Sequence, residues 1–186
     1  MFWKSKLAHK KEKMQSSELL KILSSSMSLD SLEVRSYFNE NPCFERSGPG
    51  LYNDLGFVYA HNIFMICKEL GIEMSFDCED NKSTSRIPDH LKTCVCIWLY
   101  SDVEDGREYN YSGKLPLGFK ITDTRLQLIN KHTPKSTWKV GDGNVDVNHP
   151  NPSQDRWEFE NMRIAAFYCE KSGLLKYFEI SNKKEK

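Results

Sequence analysis

One segment constrains the fold more than any other. Thr93-Cys94-Val95-Cys96-Ile97-Trp98-Leu99-Tyr100 is apolar along almost its whole length. Alternate residues of a strand point to opposite faces. Val95, Ile97 and Leu99 then share one face, and Cys94, Cys96, Trp98 and Tyr100 the other. Both faces are apolar, which predicts a central strand covered on both sides. Such a strand needs neighbours, and the sequence supplies them. Gly71-Ile72-Glu73-Met74-Ser75-Phe76-Asp77 alternates cleanly, with Ile72, Met74 and Phe76 inward, and pairs with residues 62–68 as a hairpin turning across 68–71. Residues 157–159, 163–169 and 174–180 read as three more strands, with Ser172-Gly173 at the last turn.

Short helices precede the strands. Leu19, Leu20, Ile22 and Leu23 give a stripe over residues 17–24, with Ser16 or Ser17 as N-cap. Asp30 caps a second helix through Leu32, Val34, Tyr37 and Phe38, which Asn41-Pro42 ends. Thr122 or Asp123 caps a third, carrying Leu126, Leu128 and Ile129 and ending at His132-Thr133-Pro134. Residues 52–59 read as weak strand or loop. Residues 79–92 and 135–154 read as polar loops, the latter with a tight turn at Asp142-Gly143.

The pattern occurs twice: helix, Xaa-Pro, then three strands. Pro42 to Phe76 is 34 residues and Pro134 to Phe167 is 33. A three-stranded unit leaves bare edges, so two units joined edge to edge are expected to share one larger antiparallel sheet with helices covering it. The expected organisation is a basic arm over 1–15, a first repeat and connection over 16–113, a second repeat over 114–182 and a basic tail over 183–186, all in one compact domain. Leu115-Pro116-Leu117-Gly118-Phe119 is read as structure: a sharp turn whose apolar side chains cover the seam between the halves.

Charge narrows the partners. The 186-residue chain has net charge 0, but residues 1–13 carry five lysines against one glutamate, and the last four residues are +2. The body between them holds 18 basic and 24 acidic side chains, a net of −6. A nucleic-acid binder has the opposite sign, so direct nucleic-acid binding is not expected. An acidic body suits a basic protein partner. No apolar stretch approaches the length of a membrane span, and the first ten residues lack the apolar core of a secretory signal. The expected compartment is the cytoplasm, with no membrane partner.

The six cysteines sit mostly in apolar runs and are expected to be free, buried thiols. Cys94 and Cys96 are the one close pair, and period 2 puts both thiols on one face. No second pair completes a zinc pattern, and the five histidines have no metal-ligand spacing. No metal, no cofactor and no catalytic residue is expected.

Tyr111-Ser112-Gly113-Lys114-Leu115-Pro116-Leu117-Gly118-Phe119, Asp155-Arg156-Trp157, the segment Leu70 to Asp77, and Ile97-Trp98-Leu99-Tyr100 carry a resemblance over residues 16–181. Each half resembles the BamE-like ααβββ unit, and the tandem is similar to immunity proteins of polymorphic toxin systems, contact-dependent growth inhibition included. The fold so implied is α+β, two such repeats forming a mainly antiparallel sheet. The function implied is non-catalytic: binding a cognate toxin domain, of basic, nuclease-like character, and occluding its active site or substrate path. A BamE-like envelope assembly or scaffold protein is the alternative, and a small hydrolase a more distant one.

Two acidic connections are the leading contact candidates, because binding groups concentrate on loops. The first holds Asp102, Glu104, Asp105, Glu108, Tyr109 and Tyr111, four carboxylates with two tyrosines as anchors. The second holds Asp142 and Asp146, followed by Asp155. Asp77, Glu79, Asp80 and Asp89 form a third acidic stretch.

Overall fold

A computed structural model of the chain describes residues 18–25, 27–47, 62–78, 88–101 and 111–183. Within them lie three helices and nine strands. Helix α1 covers residues 18–24. Helix α2 is Leu32–Glu40, with Ser31 as its N-cap, the side chain accepting from the Val34 amide. The cap is therefore one residue later than Asp30. Asn41 ends α2 as expected: its backbone and side-chain amides both donate to the Tyr37 carbonyl. Strands β1 (Glu45–Ser47), β2 (Ile63–Cys67), β3 (Ile72–Asp77) and β4 (Thr93–Tyr100) follow. Helix α3 is Arg125–Lys131, closed by a reciprocal capping box between Thr124 and Gln127. Asp123 instead accepts from the Lys120 amide and pairs with Lys131. The remaining strands are β5 (Ser136–Lys139), β6 (Gly143–Val145), β7 (Gln154–Phe159), β8 (Met162–Tyr168) and β9 (Leu175–Asn182).

All nine strands form one antiparallel sheet in the order β1-β2-β3-β4-β9-β8-β7-β5-β6. The two halves meet at β4–β9, where Leu99 lies opposite Phe178 and Ile97 opposite Ile180. The expected edge-to-edge junction is present, but each half holds more than three strands. β1 extends the first half. β5 and β6 replace what reads as a polar loop.

The helices pack on one face. Leu19, Ile22 and Leu23 of α1, Val34 and Tyr37 of α2, and Leu128 of α3 join Met74, Phe76, Ile97, Leu99, Trp157, Ile164, Phe178 and Ile180 in a single core. Burying a side chain of this size contributes about 1.5–3 kcal/mol. The Asn182 side-chain amide donates to the Leu23 carbonyl at 2.9 Å, tying β9 to the end of α1. Leu115 and Phe119 are buried, and the Phe119 ring stacks on Phe178 and meets Trp157 edge-on. Pro116 lines a small space shared with Ile97 and Leu99 of β4 and Ile180 of β9, so this turn does cover the seam. Leu117 and Gly118 both have positive φ there, 61° and 66°.

One face assignment changes. Between β3 and β4 the register slips: Ser75 faces Cys96 and Phe76 faces Cys94, leaving Val95 as an extra residue. The bulge puts Cys94, Ile97 and Leu99 on the core face and Cys96, Trp98 and Tyr100 on the other. The two thiols therefore point to opposite faces. β4 is central, as expected, but among the described residues helices cover only one of its sides. On the other, aromatic side chains and carboxylates shield one another. Phe64 tilts against Trp98, Tyr100 against Tyr177, and Phe167 stacks on Tyr177. The Trp98 indole donates to Glu179, and the Tyr100 hydroxyl to Glu73.

Candidate partner-binding surface

The second acidic connection is built as a clamped hairpin. β5 and β6 pair Lys139 with Gly143, and the turn between them needs left-handed backbone at Gly141 and Gly143 (φ 90° and 80°), which glycine adopts freely. The Asp142 amide donates back to the Lys139 carbonyl. Beyond β6 the chain folds on itself: the Asp146 carboxylate accepts from the Asn148 amide, and its carbonyl from the His149 amide. Ser153 closes the return, donating through its amide to Trp138 and accepting at its hydroxyl from the Val140 amide.

Beneath this hairpin lies a buried charge pair. Arg125, at the start of α3, reaches Asp155 of β7 through Nε at 2.7 Å and Nη2 at 3.2 Å, a forked arrangement. The same guanidinium donates to the carbonyls of His149 and Val147. The Asp155 carboxylate also accepts from the Thr137 hydroxyl at 2.6 Å and the Tyr168 hydroxyl at 2.9 Å. Asp155 is wholly buried, and its four hydrogen bonds tie α3, β5, β7 and β8 together. Burial, then the adjacent Asp155 charge, pushes the Tyr168 phenol above its ordinary range.

The expected contact residues separate accordingly. Asp142 and Asp146 are exposed on the hairpin and its following turn. Asp155 is a correction: at 0% exposure it fastens the platform and presents nothing to a partner. Tyr111 is a second correction. It is 3% exposed and belongs to the core, with its amide donating to the Tyr100 carbonyl and its hydroxyl to the Lys114 carbonyl. Asp102, Glu104, Asp105, Glu108 and Tyr109 lie outside the described residues, as do Glu79 and Asp80. Asp89 binds Arg46 through two contacts, 2.8 and 3.1 Å, pinning β1 to the turn before β4.

Two surface residues escape a reading by charge. Trp138 is 37% exposed and Val140 54%, both on the hairpin that carries Asp142. The available signal was a tryptophan inside a polar run, at period 2 from Ser136. Exposed apolar side chains on a hairpin that also carries the exposed Asp142 are a combination suited to a protein contact. The thiols offer no comparable chemistry. All six are free. Burial pushes Cys94 up to about 12 and, with Cys43 beside it, Cys67 also to about 12, where the reactive thiolate is scarce. Among the described residues, no three metal-ligating side chains converge, and no helix is long and apolar enough to cross a membrane. Comparison with protein-family models, curated proteins and solved structures finds no match to this chain.

Proposed function

We propose that this chain is an immunity protein, which neutralises a cognate toxin domain by occupying its active site or substrate path. The observation that carries the proposal is the clamped hairpin. It leaves Trp138 and Val140 exposed and carries the exposed Asp142, with Asp146 exposed on the turn that follows, on a base fixed by Arg125 and Asp155. Tryptophan is among the residues that dominate binding energy, and a rigid base lowers the ordering cost of association. The carboxylates favour a basic partner of the nuclease kind and speed its capture. The duplicated BamE-like unit belongs to the same proposal. In both halves a helix and an Xaa-Pro step lead into successive antiparallel strands, and the β4–β9 junction supports the pairing of two such units. We place the protein in the cytoplasm, where free thiols are the norm.

The test is co-expression with the toxin domain encoded beside it. The unaltered chain should protect the cell and bind the isolated domain. W138A should weaken binding by about 2 kcal/mol or more. D142K with D146K should slow association more than it speeds release. If the chain neither binds nor protects, the reading fails. If it protects and these variants bind unchanged, the contact lies elsewhere, and Asp102, Glu104, Asp105, Glu108 and Tyr109 become the first alternative.

A further inference from the structure

Two of the six thiols meet in the first half of the chain. Cys67 closes β2, and Cys43 lies in the turn between α2 and β1. β1 runs antiparallel to β2 with Glu45 opposite Ile66. One step further along that register sets Phe44 level with Cys67, and Cys43 is the next residue. The turn is firmly held. The Phe44 amide donates to the Asn41 carbonyl, and the Phe44 ring packs against Tyr37 and Phe38. The Cys43 S–H donates weakly to the Asn41 carbonyl at 3.9 Å, and the Cys67 S–H donates to the Cys43 sulfur. The two thiols differ in access. Cys43 is half-buried, whereas Cys67 is 0% exposed. Burial, then the bond to Cys43, pushes Cys67 up to about 12, so alone it is inert toward a dissolved oxidant. Chemistry enters this pair through Cys43. Cys94 and Cys96, although closer in sequence, point to opposite faces and make no such pair.

We propose that Cys43 and Cys67 form an oxidative modification site, which takes hydrogen peroxide and closes to a reversible disulfide, with Cys43 attacked first and Cys67 as the resolving thiol. In the first step the Cys43 sulfur attacks one peroxide oxygen. An S–O bond forms and the O–O bond breaks. The sulfur is oxidised to a sulfenic acid, and the other oxygen leaves with the thiol proton as water. In the second step the Cys67 sulfur attacks the Cys43 sulfur. The S–S bond forms, the S–O bond breaks, and the hydroxyl departs with the Cys67 proton as a second water. The Leu70 amide donates to the Cys67 sulfur and favours its thiolate as that proton goes. Two thiols and one peroxide thus give one disulfide and two waters. A dithiol reverses the change, becoming a disulfide itself as both protons return. Where thiols are kept reduced, such a bond is transient and reports an oxidant. The site does not depend on the hairpin or on any toxin, so it stands or falls independently of the immunity reading.

The experiment treats the reduced full chain with a small molar excess of hydrogen peroxide, alkylates the remaining thiols after unfolding, and reads tryptic peptides without reductant. Cleavage after Arg35, Arg46 and Lys68 puts the two cysteines on separate peptides, residues 36–46 and 47–68. These should appear joined, with a mass short by two hydrogens and no added oxygen, and dithiothreitol should part them. This reading needs no variant. The oxidised chain should melt about 4–10 °C above the reduced one, because the bond closes residues 44–66 into a loop in the unfolded chain. In C67S the sulfenic acid at Cys43 has no resolving thiol, so it should persist and be captured by dimedone. In C43S, Cys67 should stay reduced at the same dose. An oxygen-bearing Cys43 in the unaltered chain, with Cys67 still open to alkylation, would overturn the proposal. So would Cys43 joined to a different cysteine, or Cys67 oxidised as readily in C43S as in the unaltered chain.

Discussion

Replacing Arg125 by methionine removes the cation and keeps most of the side chain's volume. Asp155 then remains at 0% exposure with its Thr137 and Tyr168 donors but no counter-charge. Stranding one partner of a buried pair costs about 3–5 kcal/mol. The Val147 and His149 carbonyls lose a donor as well, but that segment borders solvent and water can replace it. For a chain of this size, each kcal/mol moves Tm by about 2–4 °C, so a fall of roughly 6–20 °C is expected. Urea unfolding gives the same quantity through the shift in midpoint at constant slope. The informative comparison is with R125M/D155N. If the cost is the stranded charge, removing that charge returns stability, and the double variant should be more stable than R125M alone. Amide exchange should rise over residues 136–153 in R125M and nowhere else to the same degree. A loss below about 1 kcal/mol, as for a surface pair, would refute the reasoning. So would a double variant less stable than R125M.

Three further outcomes are expected. A Cβ at Gly113 would lie 2.2 Å from the hydroxyl of the buried Tyr111, so Gly113→Ala should lower stability by about 1–3 kcal/mol, measured by urea unfolding, and an unchanged midpoint would show that Tyr111 has room to move. Arg46, by hydrogen bonding to Asp89, holds that carboxyl below its usual range, so its contribution is complete above the unfolded value of about 3.9 and fades as pH falls through the lower folded value; D89N should remove this part of the acid slope, by less than about 1 kcal/mol because the pair is part-exposed, and an identical slope would count against it. Under native alkylation at pH 8, the half-buried Cys43, Cys78 and Cys169 should be labelled well before Cys67, Cys94 and Cys96, as peptide mass spectrometry would read, and Cys94 reacting as fast as Cys169 would contradict the burial.

What could be read from the residues alone follows the strength of each periodic signal. β2, β3, β4, β8 and β9 carry alternating or continuous apolar runs, and their positions match the expectation to within a residue or two. β1, β5 and β6 do not. They are edge or near-edge strands of three or four residues, Glu45-Arg46-Ser47 and Gly143-Asn144-Val145 among them, with little apolar face to announce a sheet. The bulge at Val95 is a contact between strands, so no pattern within β4 alone reveals that Cys94 and Cys96 part ways. Asp155 was misjudged for a different reason. Its charge suggested surface, whereas its register with Trp157 and Phe159 placed it on the core face, and its cation lies 30 residues away in Arg125. The helix caps were displaced by only one or two residues, since neighbouring Ser, Thr and Asp side chains compete for the same role.

The junction at β4–β9 also bears on how the chain is made. β4 is an interior strand of the sheet, yet the neighbour that completes it begins about 75 residues further along. At roughly 5–20 residues per second, a ribosome needs several seconds to deliver that strand. Throughout that interval Thr93–Tyr100 would have one edge without its final neighbour, and its composition is that of a sticky strand. Newly made first halves emerging from adjacent ribosomes on one message could pair through this edge. The hazard is set by the order of synthesis and disappears from view in the finished fold.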